Sequence, residues 1–212
     1  MVEQRFRKPQ VVRSTRTASS ILYKNISLKS IRQALRQYQD KKKAKVLRGF
    51  FKTGPGEYAE GDIFLGVTVP VLRKLAREFK DIELKSAIEL LRSSIHEERL
   101  LALLILILKY RDSGPKDKEK IYRIYLRNTK YINNWDLVDV TAKHIVGDYL
   151  RDKDKGALYR LARSGLLWNR RIAIIATFNF IENQGVLQRR EDVWTKHRRL
   201  WKIGMLQKWT PR

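Results

Sequence analysis

The sequence predicts an all-α chain built from repeated helix pairs, and three observations predict it. Apolar residues recur at spacings of three and four in most segments from Ser27 onward. No segment alternates for long enough to be a strand. Strongly apolar helices begin near His96, Trp135 and Trp168, 39 and 33 residues apart, each preceded by a shorter amphipathic one. Helix pairs repeating every ~35–45 residues stack into HEAT-like or armadillo-like solenoids, curved αα superhelices with a concave face.

Each element has its own signal. Leu28, Ile31, Leu35 and Tyr38 form the first apolar stripe, and a loop with glycines and one proline, Lys52 to Glu57, follows. Pro70 suits the first turn of a helix whose apolar face is Val71, Leu72, Leu75, Ala76 and Phe79. A short helix is expected from about Leu84 to Leu91. Ser94-Ile95-His96-Glu97 reads as a capping box opening a helix through about Tyr110 that is apolar around most of its girth. Gly114-Pro115 ends it, and residues 117–130 form the next amphipathic helix. Asn133 or Asn134 can cap a helix from Trp135 to about Leu150. A shorter helix over 154–163 stops at Gly165, and the last runs from about Trp168 to Ile181.

The ends of the chain read differently from its body. Residues 1–20 are rich in Arg, Ser and Thr without apolar period, and are expected to be a disordered leader. Residues 21–183 hold the repeats. Residues 184–212 form a basic, atypical tail that carries Trp194, Trp201 and Trp209.

Composition narrows the function. The chain has 212 residues, enough for one domain, with 46 Lys+Arg against 22 Asp+Glu and a net charge of +24. Most of that charge lies in the body, because residues 1–20 carry only five Lys/Arg and one Glu. A surface so basic points to a polyanion, with nucleic acid first. The absence of cysteine excludes a disulfide framework, a cysteine zinc site and a thiol nucleophile. The longest apolar run, Leu100 to Leu108, is too short to span a bilayer. His96, His144 and His197 show no metal-ligand spacing, and the glycine loop at 54–56 lacks the Lys-Ser/Thr of a phosphate-binding loop. No metal, cofactor or membrane is therefore expected.

Two places stand out as candidate chemistry. Trp135, Asp139 and Lys143 are spaced four apart and share a helix face. The face is either a plain Asp139–Lys143 helix pair beside an edge-of-core tryptophan, or a carboxylate site with an aromatic wall. Arg171 falls in the first turn of its helix, where the dipole disfavours a cation. It either binds a phosphate, with Arg170 as a second cation, or pairs with Asp139 or Asp136. The basic body alone also fits a non-catalytic nucleic-acid-binding solenoid, or a helical scaffold for an acidic protein.

Several stretches in order resemble the DNA alkylation repair family, the HEAT-like-repeat alkylpurine DNA glycosylases of the AlkD type. They are Phe50 to Tyr58, Gly61 to Pro70, His96-Glu97-x-Arg99, Asn134-Trp135-Asp136-Leu137-Val138-Asp139 and Trp168-Asn169-Arg170-Arg171-Ile172-Ala173. The resemblance covers about residues 27–183. It implies excision of N3- or N7-alkylated purines from double-stranded DNA without full base flipping. It further implies a cofactor-free monomer in the bacterial cytoplasm, at the nucleoid when bound. Asp139 would be the catalytic carboxylate, Trp135 one wall of the cleft, and Arg171 the arginine on the DNA backbone. Phe50 would be a further aromatic near the lesion. Lys52, Lys143, Trp168 and Arg170 complete the expected nucleic-acid-contacting set.

Overall fold

The computed structural model describes residues 27–182, so the leader expected at 1–20 and the tail expected at 184–212 lie outside the described residues. Helices α1 (Leu28–Gln37) and α2 (Lys41–Phe50) come first. Ser27 caps α1 by accepting from the Ser30 N–H at 3.1 Å, and Ile31 and Leu35 are fully buried. Asp40 caps α2, accepting from the N–H groups of Lys42 and Lys43 at 2.9 and 3.1 Å. Those bonds, Lys43's first, hold the Asp40 carboxyl below its ordinary value. The sequence reading ran from the first stripe straight to the glycine loop and missed α2. Its Lys41-Lys42-Lys43-Ala44-Lys45 run hides the period, and Ala44 is its one buried residue.

Then come α3 (Val69–Glu78), α4 (Leu84–Leu91), α5 (His96–Arg111) and α6 (Pro115–Arg127). Pro70 sits in the first turn of α3 as expected. Pro115 opens α6 two residues earlier than the predicted start, since a proline lacks the N–H that a first turn leaves unpaired anyway. After a 3-10 turn (Thr129–Tyr131), α7 (Trp135–Ala142) runs through a π-helical stretch (Lys143–Gly147) into α8 (Asp148–Leu150). Helices α9 (Gly156–Ala162) and α10 (Leu167–Glu182) follow. Among the described residues the only β pairing is one parallel bridge, Ile63 with Ile95.

The helices pack in two layers, as a helical-repeat solenoid does. Helices α5, α7 and α10 lie side by side, and α4, α6 and α9 back them. The core between the layers holds Leu101, Leu103, Ile105 and Leu106 of α5, Val138, Ala142, Ile145 and Val146 after Trp135, and Ile172 and Ala176 of α10. Each such aliphatic side chain contributes about 1.5–3 kcal/mol on burial. The fully buried Tyr125 hydrogen-bonds to Thr141 at 2.8 Å. Gly147 lies so close to the Ala176 carbonyl of α10 that a Cβ there would collide with it. That approach brings the α7 line and α10 together along their length.

The capping box expected at Ser94–Glu97 does not form. Ile95 occupies the cap position without a side-chain bond, and Ser93 instead accepts from the Ile95 N–H at 3.0 Å. Glu97 turns inward and accepts from the N–H groups of Leu65, Gly66 and Val67 at 3.0, 2.8 and 3.3 Å. Gly66 (φ +83°) presses against the Asp40 carbonyl and the Ala44 amide at the start of α2, where no side chain fits. The His96 N–H at the helix start is already taken by the Ile63 carbonyl at 2.8 Å, whereas three N–H groups of the buried loop need an acceptor, so the carboxylate goes to the loop.

Candidate active site

Helix α5 opens on four buried polar residues, His96, Glu97, Glu98 and Arg99, each 2–3 % exposed. Each reaches a different element. Glu98 accepts from the Nε of Arg32 on α1 at 3.2 Å. Glu97 holds the 65–67 loop, as above. Arg99 Nη2 donates to Asp62 at 2.5 Å and its Nη1 to the Ser93 carbonyl at 3.0 Å. The ring of His96 lies between two carboxylates, with Nε2 2.7 Å from Asp136 and Nδ1 3.3 Å from Asp62. Burial opposes charge on His96, but hydrogen bonds to Asp136 and Asp62 outweigh it and hold the pKa above the ordinary histidine value. Burial likewise opposes charge on Asp62, yet His96 and Arg99 hold that carboxyl below its usual value.

An aromatic row stands on this base. Phe64 and Phe51 stack over the His96 ring at 4.5 and 5.1 Å. Phe51 in turn stacks on Trp135 at 5.5 Å and 29°, and Phe50 meets Trp135 edge-on at 6.1 Å. Tyr58 meets Trp168 edge-on at 5.6 Å. Burial raises the Tyr58 hydroxyl pKa, and the neighbouring Trp135 indole pulls it partly back. Tyr58 thus joins the tryptophans that open α7 and α10. The capping Asn134, whose side chain accepts from the Trp135 N–H at 2.8 Å, sets where α7 begins and so where Trp135 points.

Beside the row, Asp139 on α7 faces Arg171 on α10. Arg171 Nε donates to Oδ1 at 2.6 Å and Nη2 to Oδ2 at 2.5 Å, a two-pronged pair with side chains 21 % and 33 % exposed. Arg171 is the fifth residue of α10, just past the first turn in which the sequence placed it. The starts of α5, α7 and α10 therefore lie along one edge, joined by His96–Asp136 and Asp139–Arg171. Their N-terminal N–H dipoles give that edge a positive bias.

The sequence-expected residues divide. Trp135, Asp139, Arg171, Phe50 and Trp168 come together. Phe50 is 61 % exposed at the rim. Lys52 follows α2 in a left-handed turn (φ +51°), exposed beside the row. Lys143 does not continue the Trp135–Asp139 face as an α-helical neighbour, because the π-helical stretch starts with it. The guanidinium of Arg170 turns back onto the carbonyls of Ser164 and Gly165, both at 3.0 Å, where it fastens the α9–α10 loop. Sequence reasoning missed His96, Asp62, Asp136, Phe51, Phe64 and Tyr58. A signal was present for the first, because four polar residues heading an otherwise apolar helix require buried partners.

Among the described residues no His, Cys, Asp and Glu cluster could hold a metal ion, and no helix is long and apolar enough to cross a membrane. Fold and site together define an all-α helical-repeat protein with a carboxylate–arginine pair set beside an aromatic row. A family profile, that of the DNA alkylation repair enzyme family, matches residues 31–202, and the chain belongs to that family. Membership gives it an enzyme's role in DNA alkylation repair, with DNA as the partner. The matched span continues past residue 183 into the segment read as an atypical tail. No curated protein and no solved structure matches the chain.

Proposed function

We propose that the protein is a DNA glycosylase that removes N3- or N7-alkylated purines from duplex DNA. The observation that carries this reading is Asp139, a partly exposed carboxylate held by Arg171 beside the Phe50–Trp135 row. Alkylation at N3 or N7 leaves the purine cationic. When the C1′–N9 bond breaks, the base departs with the bonding electron pair as a neutral purine, and the sugar takes up oxocarbenium character. A fixed carboxylate stabilises that positive charge and orients the water that attacks C1′. The proton lost by that water passes to solvent or to Asp139. The indole face of Trp135 supports the same charge from the side.

Arg171 serves two partners in this reading. A guanidinium carries five N–H donors in a fork, and Asp139 engages two of its nitrogens. A phosphate of the backbone, drawn to the positive edge of helix starts, binds the same fork and loosens its hold on Asp139. Duplex binding thereby turns the carboxylate toward the sugar.

The decisive measurement is release of 7-methylguanine from methylated duplex DNA by the wild type and by Asp139→Asn. Release by the wild type and its loss in the variant support the reading; no release, or equal release by both, overturns it. One observation favours a second reading, a non-catalytic DNA-binding protein: both oxygens of Asp139 are engaged by Arg171. That reading expects salt-dependent duplex binding with a log–log slope of about −0.9 per phosphate contacted, and no base release.

A further inference from the structure

We propose that His96 is a positioning residue, an imidazolium that clamps the Asp136 carboxylate from behind the aromatic row and so fixes the start of α7, with Trp135 before it and Asp139 one turn on.

The geometry requires the doubly protonated ring. A neutral imidazole has one N–H and one bare lone pair. Here both ring nitrogens face carboxylate oxygens, Asp136 at 2.7 Å and Asp62 at 3.3 Å. A neutral ring would set its lone pair against one of them; only the imidazolium satisfies both. The charges then close. Asp62 and Asp136 are matched by Arg99 and His96, all within one buried network. Phe64 and Phe51 cover the ring, which suits a cation, since aromatic faces attract one. The other charged groups near the ring are Glu97 on its own helix, committed to the 65–67 loop, and Lys42 and Lys43 on α2. The pKa held above the ordinary value agrees with this arrangement.

The network is connected to solvent on one side. A cleft of about 380 Å³ runs between α2 and α3, lined by Lys42, Lys43, Phe50 and Phe51, with His96 and Asp136 at its inner end. Asp136 is 14 % exposed there while His96 is 3 % exposed. Protons therefore reach the clamp past Asp136. When pH rises through the His96 value, the ring loses its proton, one carboxylate faces a lone pair, and Asp136 is released. The first turn of α7 then keeps its Asn134 cap but loses the bond that ties it to α5.

The effect on base excision rests on the glycosylase reading; the clamp itself does not, and the experiment keeps them apart. The ring nitrogens of the three histidines and the indole N–H of Trp135 are followed by NMR as pH is raised from 5.5 to 9, with signals assigned by substitution. The expected result is a His96 ring protonated on both nitrogens at pH 6.5, and a Trp135 signal that shifts with the same midpoint. In Asp136→Asn the His96 midpoint falls and the Trp135 signal stops following it. A His96 ring carrying one proton at pH 6.5, or a Trp135 signal indifferent to its titration in the wild type, overturns the proposal. Because the wild type alone decides, failure of the variant to fold leaves the test intact. Where excision is observed, the wild-type single-turnover rate falls on the alkaline side with the NMR midpoint. In Asp136→Asn the rate loses that limb and is lower throughout, on the order of 10–100-fold. An alkaline limb unchanged in Asp136→Asn also overturns it. Absence of excision in every sample counts against the glycosylase reading alone.

Discussion

Two arginines occupy the same place in two repeats. Arg99 is the fourth residue of α5 and Arg171 the fifth of α10, and each grips an aspartate of another element through its guanidinium. The Arg99 and Asp62 side chains are 4 % and 6 % exposed; those of Arg171 and Asp139 are 21 % and 33 %. Asp62 is further tied by His96 and Asn133, so that pair is buried inside a wider hydrogen-bond network. The Arg171 pair opens onto the edge of the aromatic row. One chemical device thus serves as a brace where it is buried and, in the proposed glycosylase, as a site where solvent reaches it. The pairing alone does not tell them apart; the surroundings do.

The largest way to sharpen this contrast is to remove the buried arginine. Arg99→Leu leaves the buried Asp62 carboxylate with only the longer His96 and Asn133 contacts, and should lower unfolding stability in urea by about 3–5 kcal/mol. Asp139→Asn should leave the fold intact and reduce 7-methylguanine release on the order of 10²–10³-fold, the usual loss for a group that stabilises transition-state charge. Arg171→Ala comes next. Its stability change should stay below about 1 kcal/mol, because the pair is partly exposed, while duplex affinity drops and the log–log salt slope shrinks by about 0.9. Phe50→Ala is the smallest change, within about 0.5 kcal/mol in stability because the ring is mostly exposed, and it serves as the stability reference for the other three.

Acid and alkali test the buried network differently. Asp62 lies below its ordinary value, so its contribution is present above the ordinary carboxylate range and is lost as pH falls through the native value. His96 lies above its ordinary value, so its contribution is complete below that value and is lost as pH rises through the native one. Thermal unfolding should show a stability plateau between these limits. In Asp62→Asn the acid edge of the plateau should disappear; an acid edge identical to the wild type would mean that Asp62 does not create it.

The sequence showed the frame of this protein more readily than its joints. Helices α4 and α9 announce themselves because a solenoid buries one apolar face of such a helix, and α5 and α10 because a helix packed on several sides is apolar around most of its girth. Helix α2 did not, since lysines fill its first turn and its outward residues Val46 and Phe50 are apolar against the usual rule. Trp135, Asp139 and Arg171 were legible as a tryptophan, a carboxylate and a cation at telling positions. That Asp139 and Arg171 hold each other was one open option, and only packing of α7 on α10 decides it. The brace around His96 was illegible for a plain reason. Its members lie 34 and 40 residues apart along the chain, and no local pattern records a contact across such distances.

The π-helical stretch at Lys143–Gly147 sets the rotational phase of everything that follows it on the same rod. A π turn holds one more residue than the α turn it replaces. Wound as an unbroken α-helix of the same length, the stretch would leave Trp135 on the aromatic row and Asp139 facing α10. Everything after it would rotate by about 100°, the angle of one residue on a helix. Tyr110, which donates to Asp148 at 2.9 Å, would lose its acceptor, and Gly147 would leave its close seat on Ala176. The stretch acts as a joint between two phases of one rod: the first half is indexed to the edge that carries Asp139 and Arg171, the second to the scaffold, and the surplus residue lets both indices hold at once.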